Sequence, residues 1–302
     1  MRRLLIPVFL LTLLALFGEQ AQAQVQVGLE IKRRLFVAYE PVVATVTIRN
    51  MSGRDLPLAD EGSTPWFGFQ VVRDDGRPVG PFANSYQLEP LIIPAGQTVR
   101  RSVTLNTLYP INDYGLYRIR ATIYFSPHKK YFQSVVRNIE ISEGKVFWRQ
   151  TVGVPDGMQG SGETRIISAL KFRKLDANYL YIRIEDPDNG LVYCTFPTDR
   201  LISGMEPQLM LDLSNQLHVL QVSGPKTYLH TQVDLNGKML SRETYLAVKS
   251  RPALKRDIAG NITVRGGRRE ADQVAQNEIG STSAELRGIP KLSDRPANLP
   301  KE

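Results

Sequence analysis

Residues 113–124 read Asp-Tyr-Gly-Leu-Tyr-Arg-Ile-Arg-Ala-Thr-Ile-Tyr, a corner followed by unbroken alternation. Leu116, Arg118, Arg120 and Thr122 fall on one side of such a strand, and Tyr117, Ile119, Ala121 and Ile123 on the other. One face is therefore apolar at a period of two, as in a sheet that packs on one side and meets water on the other. The same period governs most of the chain and limits it to antiparallel β-architectures.

From Val25 to about Ser142, short alternating runs are separated by turn residues at spacings that suit a sandwich of about seven strands. Val42, Ala44, Val46 and Ile48 share one side of a run that Pro41 precedes. The polar stretch 60–65 leads into Trp66-Phe67-Gly68-Phe69, which places Trp66 or Phe67 at the sandwich centre. Asp75-Gly76 predicts a two-residue type I′ hairpin, because both of its central positions need positive φ. The corner Asp113-x-Gly115-x-Tyr117 resembles the tyrosine corner of immunoglobulin-like sandwiches. That resemblance implies that Tyr117 returns its hydroxyl to the upstream backbone. The turn Pro94-Ala95-Gly96 is similar to a recurring feature of bacterial immunoglobulin-like domains, and the resemblance covers the first half of the mature chain. Such a fold carries many functions, so it names none.

Residues 1–23 read as a signal peptide: Arg2 and Arg3, an apolar run to Gly18, and Ala21-Gln22-Ala23 as the cleavage site. The run is too short to span a bilayer, which takes about 20 apolar residues. The mature product is expected to start near Gln24 and to be periplasmic or secreted. Residues 24–143 form the immunoglobulin-like sandwich, 144–163 a glycine-rich linker, 164–267 a second domain and 268–302 a disordered tail with a short helix near Glu270. The second domain reads as an antiparallel β-meander. Asn178-Tyr179-Leu180, Asn215-Gln216-Leu217 and Gly260-Asn261-Ile262 mark a weak repeat of roughly 40 residues, the size of one propeller blade. The fold class is therefore all-β, a sandwich followed by a meander with propeller-blade-like units.

The single cysteine, Cys194, lies in an apolar run and leaves no partner for an internal disulfide, so stability has to come from burial. The net charge of +8 is spread thinly, densest at Ile31-Lys32-Arg33-Arg34 and Gly266-Gly267-Arg268-Arg269. In an exported chain that excess points to anionic envelope polymers or to simple solubility before nucleic acid. Of three histidines, His218 and His230 face each other directly if residues 222 and 226 pair across the intervening turn. Two imidazoles lack the further ligands of a zinc site. The acidic turn Glu185 to Gly190 does not keep the spacing of an EF-hand loop, and Gly157 to Gly162 lacks the lysine of a phosphate loop. No cofactor and no metal are expected.

Loops at one end of a sandwich are the natural binding surface. Trp66, Lys129, Lys130 and Tyr131 are the candidate binding residues, combining charge with aromatic area for a protein or an anionic glycan of the cell envelope. A solvated hairpin tip is the commoner explanation of Lys129 and Lys130. The expected role is a non-catalytic binding or assembly module. The alternatives are an envelope hydrolase with dispersed carboxylates and a proteinase-inhibitor-like sandwich.

Overall fold

The computed structural model describes residues 25–82, 88–175 and 177–270 and the backbone of residues 289 and 290. Residues 1–23, expected to be a signal peptide, and most of the expected tail lie outside the described residues.

The chain is all-β. Its first part comprises β1 (Val25–Ile31), β2 (Leu35–Val37), β3 (Val43–Asn50), β4 (Leu56–Leu58), β5 (Phe67–Arg73), β6 (Pro78–Val79), β7 (Leu91–Ile93), β8 (Thr98–Thr104), β9 (Gly115–Phe125), β10 (Lys130–Gln133) and β11 (Arg137–Ser142). One sheet has the order β1-β3-β8; the other runs β2-β11-β9-β5-β6, with β10 beside β9. Alternation explains how they meet. Ala44, Val46 and Ile48 of β3 point at Phe67, Phe69 and Val71 of β5 and at Tyr117, Ile119, Ala121 and Ile123 of β9, making one buried core. The chain changes sheet early: β1 pairs antiparallel with β3, and β2 then pairs parallel with β11.

Tyr117 donates its hydroxyl to the carbonyl of Asp113 at 2.9 Å, the contact expected of the corner. Desolvation pushes its phenol up to about 12, so it stays a donor at any ordinary pH. The Asp75-Gly76 hairpin differs from expectation. Arg73 and Arg77 close a three-residue loop in which Gly76 has positive φ (+85°) while Asp75 does not. A type I turn followed by a left-handed glycine replaces the two-residue type I′ turn.

The second part begins at once. Residues 145–153, read from sequence as linker, form the edge strand β12 (Lys145–Gly153), so only the glycine-rich loop at 154–163 remains irregular. Then follow β13 (Thr164–Lys174), β14 (Ala177–Asp186), β15 (Leu191–Leu201), β16 (Gln208–Leu211), β17 (Leu217–Gly224), β18 (Thr227–Val233), β19 (Met239–Leu246), β20 (Ala253–Arg256), β21 (Ile262–Arg265), β22 (Arg268–Arg269) and β23 (Ile289–Pro290). Two four-stranded meanders, β12-β13-β14-β15 and β16-β17-β18-β19, follow chain order. They close over Ile167, Ala169, Ile182 and Ile184 from the first and Leu217, Val219 and Val233 from the second. The blade-like units thus share one core, face to face. The β20–β21 hairpin covers the other face of the second meander through Leu254, Ile262 and Val264 against Met210, Leu220 and Tyr228. Within the expected tail, Arg268–Arg269 extend the second meander and Ile289–Pro290 pair with β15; the remainder falls outside the described residues.

The two parts touch through a buried polar knot. Glu40, 2% exposed, accepts from Arg33 at 2.6 Å and from the Val37 amide at 3.0 Å, and the Tyr181 hydroxyl lies 3.3 Å from it. Arg183 donates to the Ala38 carbonyl at 2.7 Å and to Thr195 at 3.0 Å. Val37 packs with Leu170, Phe172 and Tyr181 beside this knot.

Candidate functional site

The loop at 60–66 and the tip after β9 meet. Asp60 accepts from the Trp66 amide at 2.9 Å, Glu61 and Thr64 form a bridge, and Tyr124 donates its hydroxyl to Glu61 at 2.6 Å. The Tyr131 ring lies 4.8 Å from that of Tyr124 and remains 54% exposed. Lys129 turns the chain in the left-handed region at φ +49°, a conformation that costs a residue with a Cβ about 1 kcal/mol. The Lys130 ammonium sits 5.3 Å over Phe132. Lys129, Lys130 and Tyr131 therefore share one exposed tip.

Trp66 does not join them. Its side chain is fully buried, edge-on to Phe67 at 5.6 Å, with the Arg101 guanidinium 5.6 Å above its ring. Trp66 precedes β5 and is out of phase with its inward residues Phe67, Phe69 and Val71, yet packing against Phe67 buries it, so it acts as core and not as a surface contact.

A second feature lies along the same sandwich border. A notch of about 420 Å³ opens between Ile31, Lys32, Arg33 and Arg34 on one side and Val136, Arg137 and Asn138 on the other. It forms where the chain leaves one sheet for the other. β10 and β11 both pair with β9, but one residue is gained between Gln133↔Thr122 and Arg137↔Ile119, a bulge that lifts Val135 out to 67% exposure. Sequence reading marked Lys32 to Arg34 as basic but not their meeting with Arg137. A usable signal was present: Arg137 stands in phase with the inward residues Ile139 and Ile141, where an apolar side chain is expected.

In the second part, the outer face of β17 and β18 holds a polar row. His218 Nε2 lies 3.4 Å from Asp212 Oδ2, and His218 Nδ1 lies 3.1 Å from His230 Nε2. Glu243 stands opposite His230 in the register, bound by Arg269 at 2.6 Å and by the Tyr245 hydroxyl at 2.8 Å. The imidazoles are not directly opposite: Leu220 faces His230 and Gln232 faces His218. Desolvation lowers both imidazoles, His230 to about 4. Among the described residues, no group of three or more His, Cys, Asp or Glu is placed to hold a metal ion.

A smaller recess of about 170 Å³ is lined by Gln159, Gly160, Glu163, Arg165, Tyr193 and Asn236. Arg165, 1% exposed, binds Glu163 at 2.6 Å and Asp186 at 3.1 Å and lies 4.5 Å over the Tyr193 ring. Asp186 also caps its own turn through the amides of Asp188 and Asn189, and its carboxyl is held below the usual range despite desolvation. The turn once comparable to a calcium loop is thus tied internally. The Cys194 residue is partly exposed, but its thiol packs under Gly237, where a Cβ would come within 2.7 Å of Sγ. Desolvation pushes that thiol up to about 12, far from a nucleophile.

No protein-family model matches the chain, and no curated protein is similar to it in sequence. Among the described residues no helix is long and apolar enough to cross a membrane.

Proposed function

We propose that this chain is an exported, non-catalytic binding module of the bacterial cell envelope, whose immunoglobulin-like first domain presents a ligand-binding tip. The observation that carries this reading is the pinning of two loops by the Tyr124–Glu61 bond, which holds Tyr131 exposed beside Lys129 and Lys130. A rigid aromatic with adjacent cations suits an anionic glycan or an acidic protein surface. The Tyr117 corner and the parallel β2–β11 pairing favour assignment to the immunoglobulin-like superfamily. Hydrolysis has weaker support: the Asp186 carboxyl is lowered, whereas a general acid needs a raised one.

The test is capture of envelope components by the mature protein and by the Lys129→Ala/Tyr131→Ala variant. Capture should fall in the variant, and equal capture by both proteins removes the tip from the reading. N-terminal sequencing of exported material should begin near Gln24; an intact Met1 on the product defeats the export part.

A further inference from the structure

We propose that the notch between Ile31–Arg34 and Val136–Asn138 is an oxyanion site, separate from the tip, that takes one sugar unit bearing a phosphate or a carboxylate. Four cations line it and no acid does. Arg33 is neutralised by Glu40 at 2.6 Å and laid 4.6 Å over Phe36, so it serves as wall. Lys32 and Arg34 are exposed, and neither has a side-chain partner among the described residues. Arg137 donates through Nε to the Leu29 carbonyl at 2.9 Å. That bond fixes the guanidinium plane by one nitrogen and leaves both terminal nitrogens for a ligand. Three uncompensated cations thus surround one concavity.

The backbone beneath them is held. The Arg34 carbonyl accepts from the Glu140 amide at 2.7 Å, and Leu35 continues in register with Glu140. Glu30 and Glu140, the other acids closest in sequence to the lining residues, are exposed and do not line the notch. A guanidinium fork presents parallel donors that fit a carboxylate or a phosphate. Ile31 and Val136 add an apolar wall for a ring face, and Asn138 an amide for a hydroxyl. About 420 Å³ is within the range of small-ligand sites and too little for a bundled polymer, so a single unit or a chain end enters.

The experiment is calorimetric titration of the mature chain at low salt with glucose 6-phosphate, glucuronate and neutral glucose. The first two separate phosphate from carboxylate as the source of the charge. At least one acidic sugar should bind at millimolar concentration or better while glucose does not. Arg137→Gln should weaken that binding by roughly tenfold, the loss of one charge-assisted pair. Lys32→Gln/Arg34→Gln should weaken it further. Lys255→Gln removes the same charge from β20 and should change nothing, as should Lys129→Ala/Tyr131→Ala at the tip. Circular dichroism on each variant confirms that the surface substitutions leave the fold intact. The proposal is overturned if neither acidic sugar binds, if Lys255→Gln weakens binding as much as Arg137→Gln, or if the tip variant abolishes it. Undiminished envelope capture by the tip variant, with sugar binding retained, would instead remove only the tip.

Discussion

His230 is the residue whose environment most directly sets a measurable property of this protein. If His218 Nε2–H donates to Asp212, His218 Nδ1 accepts from His230 Nε2–H, and the second nitrogen of His230 is left buried without a partner. A proton has to arrive at that nitrogen, in a buried position beside another imidazole and the Tyr245 ring. Burial, then the charge of a protonated His218, therefore lower it to about 4; Glu243 opposes this and Arg269 adds to it. Both histidines have folded values below the unfolded value of about 6.5, so the unfolded chain takes up protons first as pH falls. Stability present above about 6.5 is lost progressively towards pH 4, on the order of 2 kcal/mol from His230. Urea unfolding between pH 7.5 and 4.5 should show this slope, and His230→Gln should flatten it; an unchanged slope in the variant refutes the assignment. Trp66 gives a second prediction at this scale. Fully buried, it should cost about 3–5 kcal/mol when changed to Ala, read by chemical denaturation. The inward phase of β5 belongs to Phe67, Phe69 and Val71, so phase does not decide Trp66, and its candidacies as core and as surface contact are two readings of one residue in conflict. Packing resolved it.

The elements show what kind of information the sequence carried. Three turns of the second part share one device: Asp212-Leu213-Ser214-Asn215, Asp234-Leu235-Asn236-Gly237 and Asp257-Ile258-Ala259-Gly260. In each, the fourth residue has positive φ and the Asp side chain accepts from the amide that follows it, at 2.8 to 2.9 Å. Asp212 and Asp234 bind a second amide as well. These turns were readable because the Asx contact is local. Asp234→Ala removes two such bonds and should destabilise the protein by about 1–2 kcal/mol, seen as a lower midpoint in thermal unfolding. The turn after β17 was misjudged for a different reason. Gly224 pairs with Thr227 across Pro225-Lys226, Lys226 takes φ +62°, and Ser223 is bypassed by a bulge. A bulge has no reliable mark in one sequence. The position of the turn and the bulge together moved the register by two residues, an even number, so His218 and His230 kept a common face and became diagonal neighbours. The notch has the same origin, since the bulge before β11 brings Arg137 to Lys32 across about a hundred residues of chain.

Whether the molecule behaves as one body depends on the junction between sandwich and meanders. Sequence reading put a flexible linker there because glycines are dense at 157–162, yet those glycines sit in a loop within the second part, and only Glu143-Gly144 separates β11 from β12. A connection that short forces β2 against β13 and β14. The junction is then filled by Val37, Leu170, Phe172 and Tyr181 and tied by Glu40 and Arg183. Both charged groups are largely withdrawn from water, and desolvation already lowers the Arg183 guanidinium below its ordinary value. Such groups are tolerable only while paired, and removing one partner leaves the other groups unmatched at a cost of about 3–5 kcal/mol. That cost falls on the docked state alone, because an undocked sandwich returns Arg33 and Glu40 to solvent. The intact chain should therefore unfold in one calorimetric transition covering both parts. Glu40→Ala should split the trace into two, with the sandwich and the meanders melting at separate temperatures while each keeps its own core. A single transition that merely shifts downward in the variant would mean that the apolar contact around Val37 couples the two parts, and that the buried knot contributes only to the stability of the whole.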